Sequence, residues 1–176
     1  MKHRFFLLHL VAALVCTQFS LVLGVEPGKI PSSPSDILSP KGLLGILPRD
    51  IPRDIQPGSR NRDEALKEAS ARLDQYLKGR SVKVVVEVSE IRSEVPLRIS
   101  SAPDKVRVGG ADIWFSISVS FPEGANGGKL KKGNKITVEG MAFATFNKYE
   151  YKVPYKFELR ERTECRLHML DAKLTN

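Results

Sequence analysis

Cys165 and His168 are the two residues of this sequence that come closest to a catalytic pair. A cysteine thiol beside a histidine base could act as a nucleophile. Their spacing of three positions argues against such a pair within a strand, because successive side chains there point to opposite faces. Cys165 also alternates with Leu167 and Met169, a pattern that predicts a buried and inert thiol.

Other catalytic and cofactor-binding arrangements are missing from the sequence. Without its first residues the chain would hold one histidine and one cysteine, too few for the usual zinc sites. There is no nucleophile elbow, no phosphate-binding loop and no dinucleotide-binding fingerprint. Carboxylates are plentiful, but the sequence assigns none of them an acid or base role. We therefore expect a protein that is not an enzyme and that uses no metal and no cofactor.

Basic side chains are the remaining residues that could do chemistry, in this case the binding of anions. The formal net charge of +8 permits contact with nucleic acid, anionic lipid or acidic polysaccharide, but it mostly reports solubility. The densest cluster is expected to be a solvated loop, and it consists of Lys129, Lys131, Lys132 and Lys135. A second group predicts a neutralised face, because Arg160, Arg162 and Arg166 are interleaved with Glu158, Glu161 and Glu164.

The first 24 residues have the layout of a secretory signal peptide. Lys2 and Arg4 precede an apolar stretch from Phe5 to Val15. We expect cleavage after Gly24 and a secreted or periplasmic location, with an uncleaved N-terminal membrane anchor as the alternative. Cleavage would lower the formal net charge to +6 and leave Cys165 as the one cysteine, so the mature chain could not form an internal disulfide.

Residues 25–62 are rich in proline and poor in apolar periodicity. Seven of the eleven prolines of the chain lie in this range. The composition predicts an extended, disordered linker. Within it, the apolar stretch GLLGIL, Gly42 to Leu47, is expected to dock loosely on the neighbouring domain, with docking on a partner as the alternative.

Residues 63–79 form a predicted amphipathic helix. Ser59 or Asn61 can cap its start, and Gly79 can end it. A helix with one apolar stripe needs a surface to cover, which we expect the following strands to provide. The stripe consists of Ala65, Leu66, Ala69, Leu73, Tyr76 and Leu77.

Alternating apolar and polar residues predict three strands in the middle of the chain. The first carries apolar residues from Val82 to Val88, and the second runs from Val95 to Val108 with a disturbance at 101–104. Gly109-Gly110 predicts a tight turn into the third strand, which reaches Phe121. Pairing across this turn sets Val108 opposite Ala111, Arg107 opposite Asp112, Val106 opposite Ile113 and Lys105 opposite Trp114.

Two further strands are predicted after a broken loop. The fourth runs from Ile136 to Phe146 with a bulge or bend at Gly140, and a turn at 147–150 leads into the fifth. The fifth strand continues from Tyr151 as far as Met169, and residues 171–176 are a predicted tail. These patterns predict a mainly β fold, a five-stranded antiparallel barrel over residues 80–170 preceded by one amphipathic helix.

Two stretches of this region resemble a known family. LKKGNKITVEG, Leu130 to Gly140, resembles the loop and fourth-strand entry of OB-fold domains, particularly the bacterial domains described as tRNA-anticodon-binding-like. FELRERTECRL, Phe157 to Leu167, looks like the final strand of such domains. The chain departs from the family between Pro122 and Gly133, where a helix usually covers one barrel end, and the 63–79 helix is expected to take that role. The whole chain looks like uncharacterised exported bacterial proteins with this module.

The resemblance implies a ligand face on the second and third strands and the adjoining loops. Within it, Trp114 would lie beside Lys105 as a cation-π pair. The residues of this chain at those positions are Arg98, Ser100, Lys105, Arg107, Trp114, Ser116 and Ser118.

We therefore expect an exported, non-enzymatic OB-like binding or interaction module whose ligand is a protein, a glycan or another envelope component. The alternative is a single-stranded nucleic-acid-binding OB domain. Fold analogy favours this alternative. Export disfavours it, and so does the presence of one outward aromatic residue, Trp114, where such grooves offer several.

Overall fold

The computed structural model describes residues 37–175 except Glu94, Asn126, Lys129 and Phe157. The described residues belong to one compact unit. Across this part of the chain, no helix has the length and apolar character needed to cross a membrane. The predicted signal peptide and the first part of the predicted linker, residues 25–36, lie outside the described residues.

From Ile37 onwards, where the structure describes the chain, three helices precede the strands: α1 (Pro40–Leu44), α2 (Ile51–Asp54) and α3 (Arg62–Leu77). Ser39 caps α1, because its Oγ accepts a hydrogen bond of 3.0 Å from the backbone N–H of Gly42. The predicted amphipathic helix corresponds to α3, whose apolar stripe is buried. Gly79 follows with a φ of +71°, a conformation in which glycine carries no steric cost.

The predicted disordered linker is wrong from Ile37 onwards, because these residues form α1, α2 and their connections. Pro40 and Pro52 stand in the first turns of α1 and α2, where the missing N–H of proline costs no helical hydrogen bond. The apolar stretch docks on the domain as expected. Its leucines are buried in the core together with two isoleucines of the α2 region: Leu43, Leu44, Leu47, Ile51 and Ile55.

The strands form one mixed sheet whose order is β1-β6-β7-β5-β3-β2, with β4 also paired to β5. The parallel neighbours are β5 and β7. The other pairs are antiparallel. The strands are β1 (Ser81–Glu87), β2 (Glu90–Arg92), β3 (Arg98–Ser100), β4 (Asp104–Val108), β5 (Ala111–Ser120), β6 (Lys135–Lys152) and β7 (Leu159–Thr175).

The mainly β class is confirmed, but the five-stranded antiparallel barrel is wrong. Among the described residues, the sheet has seven strands, its central pair is parallel, and its pairing path is open, with β1 and β2 at the two ends. The two additional strands have different origins: β2 lies between the predicted first and second strands and was not predicted, whereas residues 101–103 divide the predicted second strand into β3 and β4. Alternation identified the strands, but it does not specify which strands become neighbours.

The hairpin formed by β4 and β5 has the predicted turn and register. Gly109 and Gly110 have φ values of +57° and +82°, which the two-residue turn requires. Val108 lies opposite Ala111, and Lys105 lies opposite Trp114. Local turn chemistry was therefore sufficient to specify this pair of strands.

The hairpin formed by β6 and β7 turns later than predicted, so the turn at 147–150 is wrong. These residues continue β6, and the chain reverses between Lys152 and Leu159. The backbone N–H of Lys156 donates to the carbonyl of Val153, and Tyr155 has a φ of +63° directly after Pro154. These are features of a type II turn. The predicted tail is also wrong, because β7 extends to Thr175.

One face of the sheet, the core face, packs with the three helices in a single core. Leu130, from the loop before β6, is buried, as are the alternating apolar residues of β5 and the residue after it: Ile113, Phe115, Ile117, Val119 and Phe121. β1 pairs with β6 only as far as Met141 of β6. Beyond Met141, α3 protects the edge of β6. The backbone N–H of Ala144 donates to Asp74 Oδ1 at 2.8 Å, and that of Phe146 donates to Ser70 Oγ at 3.0 Å.

The stretch LKKGNKITVEG has a structural role in this fold. The backbone N–H of Gly133 donates to the carbonyl of Val88 at 2.7 Å, and the carbonyl of Asn134 accepts from the N–H of Val88 at 2.9 Å. The start of β6 is thereby fixed to the junction between β1 and β2. A register shift lies at Gly140, as predicted, and a Cβ at this position would come within 2.8 Å of the Leu170 carbonyl oxygen.

Candidate functional site

The solvent face is the side of β5, β6 and β7 opposite the core face. The register brings Trp114 beside Glu164 and Glu164 beside Asn147, and it repeats this every second residue along the strands. Aromatic, charged and polar side chains therefore share one surface. The solvent face consists of Asp112, Trp114, Ser116, Ser118, Phe143, Thr145, Asn147, Tyr149, Tyr151, Arg162, Glu164, Arg166 and His168.

Three of the predicted site residues lie together at one end of this face. Lys105 and Arg107 on β4 flank Trp114 and Asp112 on β5. The Lys105 Nζ atom lies 2.7 Å from Asp112 Oδ2, and Arg107 Nε lies 4.0 Å from Asp112 Oδ1. The hydrogen bond from Lys105 lowers the pKa of the Asp112 carboxyl, so this carboxylate stays ionised beside the two cations.

Arg98 and Ser116 do not join this group as predicted. Arg98 on β3 lies opposite Ser120, six residues along β5 from Trp114, which is about 20 Å in a strand. The expectation that Ser116 is an accessible ligand residue is wrong, because it is only 4% exposed. Its short side chain lies under its longer neighbours and donates a 3.0 Å hydrogen bond to Glu164 Oε1.

Trp114 does carry a cation on its ring, but the cation is Arg162 of β7. The Arg162 guanidinium lies 4.6 Å from the centre of the Trp114 ring and 4.5 Å from that of Tyr149. The Tyr151 ring follows at 5.7 Å. The predicted pairing of Trp114 with Lys105 is thus corrected, because Lys105 is held by Asp112. Three aromatic rings surround one guanidinium, and each contact is favourable because ring faces attract cations.

Glu164 is the electrostatic centre of the solvent face. Its side chain is only 5% exposed, and it lies between Arg162 Nη2 at 3.4 Å and Arg166 Nη2 at 2.9 Å. Ser116 adds a third donor. A buried carboxylate is tolerated when charged donors satisfy it in this way. The predicted neutralised face is formed only in part: Arg160 pairs with Glu158 alone at 2.9 Å, whereas Glu164 faces two arginines.

Arg62 fixes the backbone of β7 at Arg162. Its side chain is 6% exposed, and it forms an ion pair with Glu161. Its Nη2 donates to the carbonyl of Arg162 at 3.3 Å, while its Nε donates to the carbonyl of Ile55 at 3.2 Å. One buried arginine at the start of α3 thus connects β7 to the end of α2. The connection lies at Arg162, whose guanidinium is surrounded by the three aromatic rings.

A polar centre lies farther along the solvent face. The His168 ring stacks on Phe143 with centroids 4.6 Å apart, and its Nε2 lies 3.2 Å from Thr145 Oγ1. Asn147 Nδ2 donates to the same hydroxyl at 3.4 Å. Burial, and then the nearby charge of Arg166, lower the pKa of His168, so the ring is neutral at pH 7.

Catalysis by Cys165 and His168 receives no support from this geometry. Cys165 is fully buried in the core, and burial raises the pKa of its thiol far above the usual range. His168 contacts Thr145 and Phe143 on the solvent face instead. Among the described residues, no group of three or more His, Cys, Asp and Glu side chains could hold a metal ion.

Sequence reasoning missed Tyr149, Tyr151 and the role of Arg162 because it placed a turn at 147–150. The signal for a strand was present, since Thr145, Asn147, Tyr149 and Tyr151 alternate in one register.

Comparison with known proteins adds no template for this surface: no family model, no curated protein and no solved structure matches the chain.

Proposed function

We propose that this protein is an exported, non-enzymatic binding module with an OB-like curled sheet, and that the solvent face is its ligand surface. The ligand is an extended glycan of the cell envelope. The observation that carries the proposal is the group of three aromatic rings, Trp114, Tyr149 and Tyr151, beside a polar centre. Rings pack against the apolar faces of sugars, while amides, hydroxyls and guanidinium groups bind sugar hydroxyls.

The ends of the sheet support the OB-like part of the proposal. Six strands side by side in a flat sheet would put β1 and β2 about 24 Å apart. Only Val88 and Ser89 separate these two strands in the chain, so Glu87 and Glu90 lie at most about 11 Å apart. A sheet that meets both conditions curls strongly. Curled five-stranded sheets of the OB type bind oligosaccharides and oligonucleotides on one face and its loops.

Binding of single-stranded nucleic acid is the second candidate function. The observation that favours it is the same aromatic group, because single-strand binders stack bases on several rings along a basic groove. The sequence indicated one outward ring, whereas the solvent face carries Tyr149 and Tyr151 beside Trp114. Expected export disfavours this function.

A binding experiment with matched variants tests the proposal. The purified protein, Trp114→Ala and Tyr76→Ala would be titrated with neutral and acidic polysaccharides and with single-stranded oligonucleotides at several salt concentrations. Tyr76 is the control, because Arg80 lies 4.6 Å over its ring on α3, away from the solvent face. We expect polysaccharide binding that Trp114→Ala weakens about tenfold or more, in line with the energy of one aromatic contact, while Tyr76→Ala changes it little.

Two results would count against the glycan. Equal losses in both variants would mean that the solvent face is not the ligand surface. Oligonucleotide binding that weakens steeply with salt, without polysaccharide binding, would establish the second candidate function instead.

A further inference from the structure

We infer that the glycan is acidic and that Arg166 binds its carboxylate groups, with Glu164 as the residue that positions this arginine. The inference rests on the proposed function and specifies its ligand class. It starts from the two arginines that share Glu164, because they differ in how accessible they are. The Arg162 side chain is 18% exposed, whereas that of Arg166 is 47% exposed.

Arg162 is committed to the protein itself. Trp114 and Tyr149 stack on its guanidinium, and its Nη2 contacts Glu164. It therefore holds the aromatic rings in place rather than binding an external anion. Its role is to build the surface on which a sugar ring can pack.

Arg166 is anchored on one side and accessible on the other. Within the described part of the chain, its hydrogen bonds use Nη2 to Glu164 at 2.9 Å and Nε to Ser116 at 3.4 Å. A guanidinium has five N–H donors in a rigid plane, so the two donors of Nη1 stay available to a ligand. Because two bonds fix the plane, binding a carboxylate costs little side-chain entropy.

The charges around Arg166 leave a positive excess. Glu164 faces two guanidinium groups and can neutralise only one of them. The next side chains along the face are uncharged: Thr145 and Asn147 are neutral groups, and His168 has a lowered pKa. The other end of the face repeats the excess, since Asp112 faces both Lys105 and Arg107. An acidic polymer would meet two positive sites on either side of Trp114 and Ser116, whereas a neutral polymer would leave both unpaired.

One polymer in two charge states tests the inference. Polygalacturonate and its fully methyl-esterified form have the same sugar backbone, but only the first carries carboxylates. We expect the wild-type protein to bind polygalacturonate about tenfold more tightly than the ester at low salt, consistent with the energy of a charge-assisted hydrogen bond. Arg166→Gln should remove most of this difference, because it weakens the binding of polygalacturonate far more than that of the ester.

Arg72→Gln is the matched control. Arg72 lies on α3, its side chain is 49% exposed, and it pairs with a single glutamate at 2.7 Å, much like Arg166. This variant should keep the preference for polygalacturonate. Arg166→Lys keeps the charge but loses the planar donor pair, and it should restore part of the preference. Thermal unfolding of each variant identifies any that fails to fold, and the wild-type comparison of the two polymers needs no variant.

The outcomes separate this inference from the proposed function. Equal affinity of the wild-type protein for both polymers overturns the acidic ligand but leaves a glycan-binding module. A preference that Arg166→Gln and Arg72→Gln reduce alike overturns the assignment to Arg166. If neither polymer binds, the glycan function fails together with the inference, and single-stranded oligonucleotides in the same assay then report whether the second candidate function holds.

Discussion

The two faces of the sheet are built on different physical principles. The core face is a continuous set of apolar side chains packed against three helices. The solvent face places aromatic rings and charges in contact, with Arg162 among three rings and Glu164 between two arginines. Apolar burial stabilises the fold without regard to direction, whereas cation-π contacts and ion pairs fix the orientation of particular groups. The core face supplies stability, and the solvent face supplies a surface whose side chains are fixed in orientation.

The largest effect should come from a cavity in the core face. Leu167 is fully buried, and Leu167→Ala should lower the free energy of unfolding by about 3 kcal/mol. Ser118→Ala, one strand away on the solvent face, should change it by less than about 0.5 kcal/mol. Urea denaturation followed by circular dichroism measures both. Similar losses from the two substitutions would contradict the division between the faces.

A smaller effect is expected where the helices support the solvent face. Arg62→Met removes an ion pair and three hydrogen bonds to β7 and to the end of α2. Because Glu161 is partly exposed and can regain water, we expect a loss of about 2 kcal/mol. Trypsin should also cleave the turn between β6 and β7 faster.

The control for Arg62 is Arg72→Met, which removes an exposed ion pair from the same helix. Exposed pairs contribute little, so this variant should unfold within about 0.5 kcal/mol of the wild-type protein. Unchanged proteolysis of the turn in Arg62→Met would show that Arg62 does not restrain the β6–β7 hairpin.

The pH dependence of stability tests the polar centre of the solvent face. His168 has a lowered pKa in the folded protein, chiefly because of burial, so the unfolded chain binds its proton more tightly. Stability should therefore be unaffected by this group above its ordinary pKa of about 6.5 and should fall as the pH drops through that value. His168→Gln should flatten this part of the curve. A curve of the same slope in the variant would assign the acid sensitivity to other groups.

The core face could be derived from the sequence almost completely. The alternation in β5 and the Gly109-Gly110 turn specified both the buried residues and the register, because each is a local property. The solvent face could not be derived in the same way. Its key contacts join Trp114 of β5 to Arg162 of β7, and they depend on a parallel pairing between strands far apart in the chain. The polar character of residues 147–150 led to the prediction of a turn there. Tyr149 and Tyr151 alternate as strand residues do, and a strand needs only one apolar face.

The smallest predicted effect concerns the turn of the long hairpin. Tyr155 is fully exposed and has a φ of +63°, a conformation that costs a residue with a side chain about 1 kcal/mol. Tyr155→Gly relieves this cost, but glycine also gains entropy in the unfolded chain, so the net stabilisation should be at most about 0.5 kcal/mol. Lys156→Gly, at the next position, gains no such relief and should destabilise slightly. Thermal unfolding of both variants gives the comparison. A marked loss of stability in Tyr155→Gly would mean that the ring makes contacts that hold the turn, and the solvent face would then extend to the end of the hairpin.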